Sequence, residues 1–187
     1  MSRLDEVGDL DDAAVVDRCR GGDLDAYEVL VGRWTAPAHR FAVLLGAGED
    51  ADDVVQEAFV KAYRQLARYR GDSGFRPWLF SIVANEARNL HRTRKRRDGL
   101  VLRAAAVVDA EPVSPDPVEA LERRERLVAQ LRLLDPKERE VLVCRYLLDL
   151  TEVETAEALG VPKGTVKSRA FRALARLRDR LVEVSDV

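Results

Sequence analysis

Cysteine is scarce in this chain. Cys19 and Cys144 are the only two among 187 residues, and neither has a cysteine or histidine near it at metal-ligand spacing. That argues against a disulfide-framework domain and against a structural zinc module. Two small, partly buried thiols are expected instead. Histidine is as rare: His39 and His91 have no nucleophile or carboxylate constellation around them, so both are expected to pack or to face solvent. Paired carboxylates and glycine-rich phosphate loops at working spacing are also missing. No metal, cofactor or small-molecule substrate is therefore expected. No apolar run approaches the roughly 18–20 residues of a membrane span. The opening segment, MSRLDEVGDLDD, is acidic and lacks the basic start and apolar stretch of a signal peptide. A cytoplasmic location is expected.

What is present is charge on an apolar background. Hydrophobic residues make up 47% of the chain, enough for a true core, and charged residues 34%, above the usual quarter or so. That combination suits helices with one apolar stripe and one charged face. The net charge of −2 hides segregation. Asp5, Glu6, Asp9, Asp11, Asp12, Asp17, Asp23 and Asp25 load the first 25 residues, and Glu49, Asp50, Asp52, Asp53 and Glu57 form a second acidic cluster. Arg88, Arg92, Arg94, Lys95, Arg96 and Arg97 make a basic run, and from Lys163 to Arg180 the only acid is Asp179. Acidic and basic surfaces kept apart imply more than one charged partner.

Helical periodicity dominates, with no convincing strand. Asp23 is placed to cap a helix bearing Ala26, Leu30, Val31 and Trp34, which Pro37 is expected to break or kink before Phe41–Leu45 continue the pattern. Asp50–Ala67 reads as one amphipathic helix burying Ala51, Val54, Val55, Ala58, Phe59, Ala62 and Leu66. The segment Tyr69–Gly74 is a loop by composition. A helix from about Phe75 to Arg97 follows, burying Trp78, Leu79, Ile82, Val83 and Leu90. Asp98–Pro117, with Pro112, Pro115 and Pro117 and no helical stripe, reads as a flexible linker. Beyond it, Leu121, Val128, Leu131 and Leu134 mark a further helix. Asp135-Pro136-Lys137-Glu138 supplies a cap, a first-turn proline and a capping-box glutamate, and Thr151–Glu154 repeats that logic for a short helix ending at Leu159–Gly160. The last helix spans about Pro162–Val182. An all-α chain results: one helical domain over 1–97, a linker over 98–117 and a second domain over 118–187, with no further domain expected after Val187.

A short capped helix, a turn at Gly160 and a longer basic helix form the layout of a helix-turn-helix, with the reading helix starting near Lys163–Gly164. Val166, Ala170, Leu174, Leu177 and Leu181 supply the expected buried stripe of that last helix. Thr165, Ser168, Arg169, Arg172 and Arg176 form a second, polar and cationic stripe. Arginine grips guanine with two parallel bonds, whereas hydroxyls and a helix N-terminus suit phosphate oxygens. Major-groove DNA binding is the expectation.

Three further stretches widen that reading. Asp50-Ala-Asp-Asp-Val-Val-Gln-Glu-Ala-Phe59, Trp78-Leu-Phe-Ser-Ile-Val-Ala-Asn85 and Gly164-Thr-Val-Lys-Ser-Arg169 with Phe171-Arg-Ala173 occur in this order, with a proline-rich linker before the third. The chain resembles, over about 23–97 and 121–181, the bacterial sigma factors of the extracytoplasmic-function (ECF) type. That resemblance implies a polymerase-dependent initiation factor with no chemistry of its own. Its partners would be core RNA polymerase, through the β′ clamp and β flap, promoter DNA and a cognate anti-sigma factor. Asp52, Asp53, Gln56 and Glu57 would meet the clamp. Gln65, Tyr69, Phe75 and Asn85 would serve a base flipped from the minus-ten element, with Arg88, Arg92, Arg96 and the rest of that basic run along adjacent backbone. Lys163, Thr165, Lys167, Ser168, Arg169, Phe171, Arg172 and Arg176 would meet the minus-thirty-five element. Thr155 and Pro162 depart from the family pattern, and the Thr155 hydroxyl is expected to bond back to a helix carbonyl. An autonomous helix-turn-helix regulator is the alternative, but it leaves the acidic helix and the Asn85 helix unexplained.

Overall fold

Asp11 and Asp23 each start a helix. The computed structural model describes residues 10–71, 74–97 and 126–185, and every regular element among them is helical. The linker expected over 98–117 lies outside the described residues. Helix α1, Asp12–Arg20, is capped by the Asp11 carboxylate, which accepts from the Ala14 amide at 2.8 Å. The acidic opening does not suggest it, because Val15, Val16 and Cys19 are its only buried residues. Its anchors come from the next helix: Arg33 pairs with Asp12, and the Trp34 indole donates to the same carboxylate at 3.0 Å.

Helix α2, Leu24–Leu44, is capped by Asp23 as expected and runs unbroken through Pro37. Proline takes one amide out of the ladder, but Ala38, Phe41 and Ala42 are fully buried on either side of the next turn, and that packing holds the helix. After a turn at Gly46 and a short 3-10 segment, Gly48–Asp50, helix α3 spans Ala51–Gln65 and α4 spans Phe75–Arg97. Of the residues expected on the buried side, Ala51, Val54, Val55, Ala58, Phe59 and Ala62 are buried on α3, and Leu66 is buried in the 3-10 turn, Leu66–Arg68, that follows it. Helices α2, α3 and α4 pack pairwise, with Phe80 set edge-on to Phe41 at 5.3 Å and to Trp34 at 6.1 Å.

The C-terminal unit begins, among the described residues, with α5 over 126–132. Asp135 caps α6, Pro136–Leu142, with Pro136 in the first turn. Glu138 does not complete a capping box; its carboxylate pairs with Arg176 at 2.7 Å. A π-turn, Val143–Leu147, leads to α7, Glu152–Leu159, whose Thr151–Glu154 capping box is complete. Gly160 closes α7 with φ +65°, a conformation that a Cβ disfavours. Helix α8 spans Lys163–Ser185. Val166 and Ala173 are its buried residues, with Ala170 and Leu177 packed at core edges. Leu174 and Leu181, expected in the stripe, are exposed; the packing surface lies one residue aside, where small Ala173 lets α6 approach. The two units are not held apart. Helices α4 and α7 pack together, and Val141, Cys144, Leu150 and Leu159 share one buried cluster with Leu30, Phe41 and Leu79.

Candidate nucleic-acid interface

Burying one side of α3 turns Asp52, Asp53, Gln56 and Glu57 outward, and all four are exposed. The Asp52 side chain is 90% exposed, with His39 Nε2 at 3.4 Å. Asp50 holds the cap position but makes no cap bond; its carboxylate pairs with Arg94 instead. Glu57 meets Lys61 one turn on at 3.2 Å, and Lys61 reaches Glu86 of α4 at 2.7 Å. The bond to Glu86 is the main cause of a raised lysine pKa. Apolar groups flank these acids. Leu24, Val60 and Tyr63 are exposed and line an open groove between α2 and α3 that also takes in Asp52 and Gln56. The stripe reading missed this component. Its signal was the continuation 52, 56, 60, 63 along one helix line.

The basic helix α4 presents a different surface. Asn85 is exposed, and its side-chain oxygen accepts from Arg88 Nη1 at 2.8 Å. Arg88 reaches Glu140 of α6 through Nε at 3.1 Å and Nη2 at 3.2 Å. Arg92 donates to Asn89. Asn85, Arg88 and Arg92 border one cavity of about 590 Å³. Gln65, exposed at the end of α3, lines neither it nor the cleft beside the 69–75 loop.

Two expectations for this surface need correction. Tyr69 and Phe75 are buried and pack with half-buried Trp78 at ring distances of 4.7 and 5.8 Å. Their rings are spent on this packing and offer no free face for a base. Arg94 is also spent internally, donating to the Ala47 carbonyl at 2.9 Å besides its pairing with Asp50. The Arg96 side chain lies outside what the structure describes.

On α8, burial of Val166 and Ala173 turns Lys163, Lys167, Ser168 and Arg172 to solvent, with Thr165 and Arg169 half-buried. Phe171 is 77% exposed, a large apolar ring in the middle of this polar face. The Ser168 hydroxyl donates to the Thr165 carbonyl at 3.2 Å. Arg176 pairs with Glu138 at 2.7 Å, and Lys167 lies 3.8 Å from Glu152 of α7.

Residues 30–97 match the family model described as Sigma-70 region 2, and residues 119–179 match Sigma-70, region 4. The ECF RNA polymerase sigma-E factor of Haemophilus influenzae is 30% identical over 181 residues, covering 92% of this chain and 96% of that protein. This chain belongs to the ECF sigma factors of the sigma-70 family. The sigma-E factor of Escherichia coli K12 is 34% identical over 181 residues, covering 88% of this chain and 91% of its own length. Sigma factor NccH of Alcaligenes xylosoxydans is 35% identical over 172 residues, covering 89% and 92%.

Solved structures of similar shape include CnrH in complex with the cytosolic domain of CnrY, with TM-score 0.70, 30% identity and coverage of 92% of this chain and 97% of that one. The sigma factor RpoE of Bartonella quintana, in complex with the anti-sigma factor NepR, matches with TM-score 0.67 and 29% identity over 78% of this chain and 91% of that one. As an ECF sigma factor, the protein binds core RNA polymerase and promoter DNA and directs promoter-specific transcription initiation. Region 2 takes in α3 and α4, and region 4 takes in α6 to α8. No helix among the described residues is long and apolar enough to cross a membrane.

Proposed function

We propose that this sigma factor divides its work among three helices. The α3 face, with Asp52, Asp53, Gln56, Glu57 and the neighbouring Val60 and Tyr63, docks on the β′ clamp. The α4 face serves the minus-ten element. There Asn85 both donates to and accepts from a flipped base, and Arg88, Arg92 and Arg96 follow the backbone, with Gln65 at the margin. The α8 face reads the minus-thirty-five element: Lys163, Thr165, Lys167 and Ser168 suit phosphates, while Arg169, Phe171 and Arg172 face the bases and Arg176 flanks them. Residues 1–97 and 118–187 are the two working units and 98–117 the tether, with the second unit also meeting the β flap. Catalysis belongs to the polymerase, and the sigma factor adds none. The solved complexes of CnrH and RpoE support an anti-sigma partner for this chain as well.

The observation that carries this reading is the separation of one acidic and two basic-polar faces onto three different helices. A self-sufficient DNA-binding regulator has no use for the first. Run-off transcription with bacterial core polymerase tests it. Initiation from a cognate promoter is expected only when the protein is added. Tight duplex binding by the protein alone, with no initiation, would sink the proposal. Asn85→Ala is expected to slow promoter opening by roughly 10-fold or more, about the 1–3 kcal/mol of one good base contact, with core binding intact. An equal loss of core affinity would remove Asn85 from the pocket.

A further inference from the structure

Helix α1 lies ahead of the stretch that matches Sigma-70 region 2, yet it holds both ends of the loop between α3 and α4. It packs on the 3-10 turn Leu66–Arg68 and on α4. At the entry, Arg20 Nε donates to the Leu66 carbonyl at 3.3 Å, and its guanidinium lies over the Tyr69 ring at 5.6 Å, within cation–π reach. Asp17, one turn back, accepts from Arg20 Nη1 at 3.3 Å and fixes the orientation of the group. At the exit, Arg76 lies over the Trp34 ring at 5.8 Å, and the Trp34 indole is the one anchored by Asp12 of α1. A cleft of about 460 Å³ opens between α1 and the loop, with Asp17 and Arg20 on one wall and Arg70, Gly71 and Arg76 on the other. Arg20 therefore reaches across a gap to its partners on the loop.

We infer that Arg20 is a positioning residue for the minus-ten strand: from α1 it sets the turn at Tyr69, and with it the exposed Arg70, relative to Asn85. The inference rests on the proposed assignment of Asn85 to a minus-ten base. A guanidinium suits the task because it is planar, donating at its edge while its face rests on a ring. Here the edge is spent on Leu66 and Asp17 and the face on Tyr69. The backbone just before Arg70 is thereby held at a carbonyl and at a ring. Along α4, Phe75 and Asn85 lie about 15 Å apart at roughly 1.5 Å per residue. About four or five stacked nucleotides, at roughly 3.4 Å each along one strand, cover that distance. A strand read at Asn85 is long enough to meet the loop as well, and a shift of the turn takes Arg70 out of register with it.

The test uses the full chain assembled with bacterial core polymerase. Affinity is measured for a fluorescent single strand bearing the minus-ten sequence of a cognate promoter and for one with a single base changed, and their ratio reports base discrimination. Arg20→Met keeps the bulk of the stem and removes the donors and the charge. It should lower the ratio about 5-fold, in keeping with one lost cation–π contact and one lost hydrogen bond, with core affinity unchanged. Arg20→Lys, which keeps a cation over the ring, should recover part of the loss. In the free protein, hydrogen exchange at the Tyr69 amide, which donates to the Gln65 and Leu66 carbonyls, should quicken in Arg20→Met. Arg18→Ala breaks the neighbouring ion pair of α1, to Asp23 at 2.8 Å; it should cost unfolding stability and leave the ratio alone. An equal fall for Arg18→Ala and Arg20→Met overturns the inference, because a weakened α1 would then suffice. So does an unchanged ratio for Arg20→Met while Asn85→Ala lowers it, and that outcome leaves the reading of α4 intact. No effect of Asn85→Ala overturns the reading of α4 itself, and the inference falls with it.

Discussion

Thr155 sits in the middle of α7 with no exposed surface, and its hydroxyl has no partner among the described residues. A threonine in a helix ordinarily bonds back to a carbonyl one turn earlier, and the sequence gives no reason to expect otherwise. Here packing leaves the hydroxyl unpaired, at a cost of about 1–3 kcal/mol. Thr155→Val keeps the shape and removes that cost. Denaturant unfolding should show a gain of about 1 kcal/mol with an unchanged m-value, and no gain would mean the hydroxyl is satisfied in solution. Glu154, one residue earlier, shows the opposite case. Burial pushes its carboxyl up, but bonds from the Thr151 amide, at 2.7 Å, and hydroxyl outweigh it and hold the pKa below its ordinary value. The cap's contribution is therefore present above the ordinary glutamate range and lost as pH falls through the lowered value. This pairing was legible in advance because both partners lie within one turn of each other.

At the scale of the element, apolar spacing predicts helices well and their exact faces less well. Helix α3 matched because its apolar residues form a single line. Helix α8 carries two adjacent lines, through Val166 and Ala173 and through Leu174 and Leu181, and only contact with α6 decides that the smaller alanine goes inside. The same holds for the arginines of α4. Arg92 and Arg94 look equivalent in a basic run, yet Arg94 ties α4 to the Ala47–Asp50 turn while Arg92 stays exposed beside the Asn85 face. Arg92→Ala should lower the salt dependence of single-strand binding by the polymerase-bound protein by about 0.7 in log–log slope. Arg94→Ala should leave that slope alone and reduce unfolding stability instead. If both variants change the slope equally, the internal assignment of Arg94 is wrong.

For the whole molecule, the packing of region 4 on region 2 matters most. Cys144 is completely buried in the cluster shared by the two units, and burial pushes its thiol pKa well up, with the Glu140 carboxylate adding to the rise and the Arg88 guanidinium opposing it. Cys19 is buried within the N-terminal unit, away from that contact. Labelling with a neutral thiol reagent should therefore be slow at both sites in the free protein. Glu140→Gln removes an ion pair between the two units and should accelerate Cys144 several-fold while leaving Cys19 unchanged. Equal rates in the variant would mean that the apolar packing alone keeps the units together.

Local chemistry was enough to determine most of the helices, the Asp23 cap, the Thr151–Glu154 capping box, the turn at Gly160 and the family, because each depends on residues within a turn or two of one another, whereas the helix at Asp12–Arg20 and the unbroken course through Pro37 were decided by packing. The separate acidic and basic faces were also legible, since charge segregation is written along the chain. Contacts across long separations were not. That Arg88 meets Glu140, that Tyr69 and Phe75 are spent on Trp78, and that one basic residue braces a turn while its neighbour stays free were decided by helices meeting in space. Side chains of one type compete for the same partners, and only packing settles which of them wins.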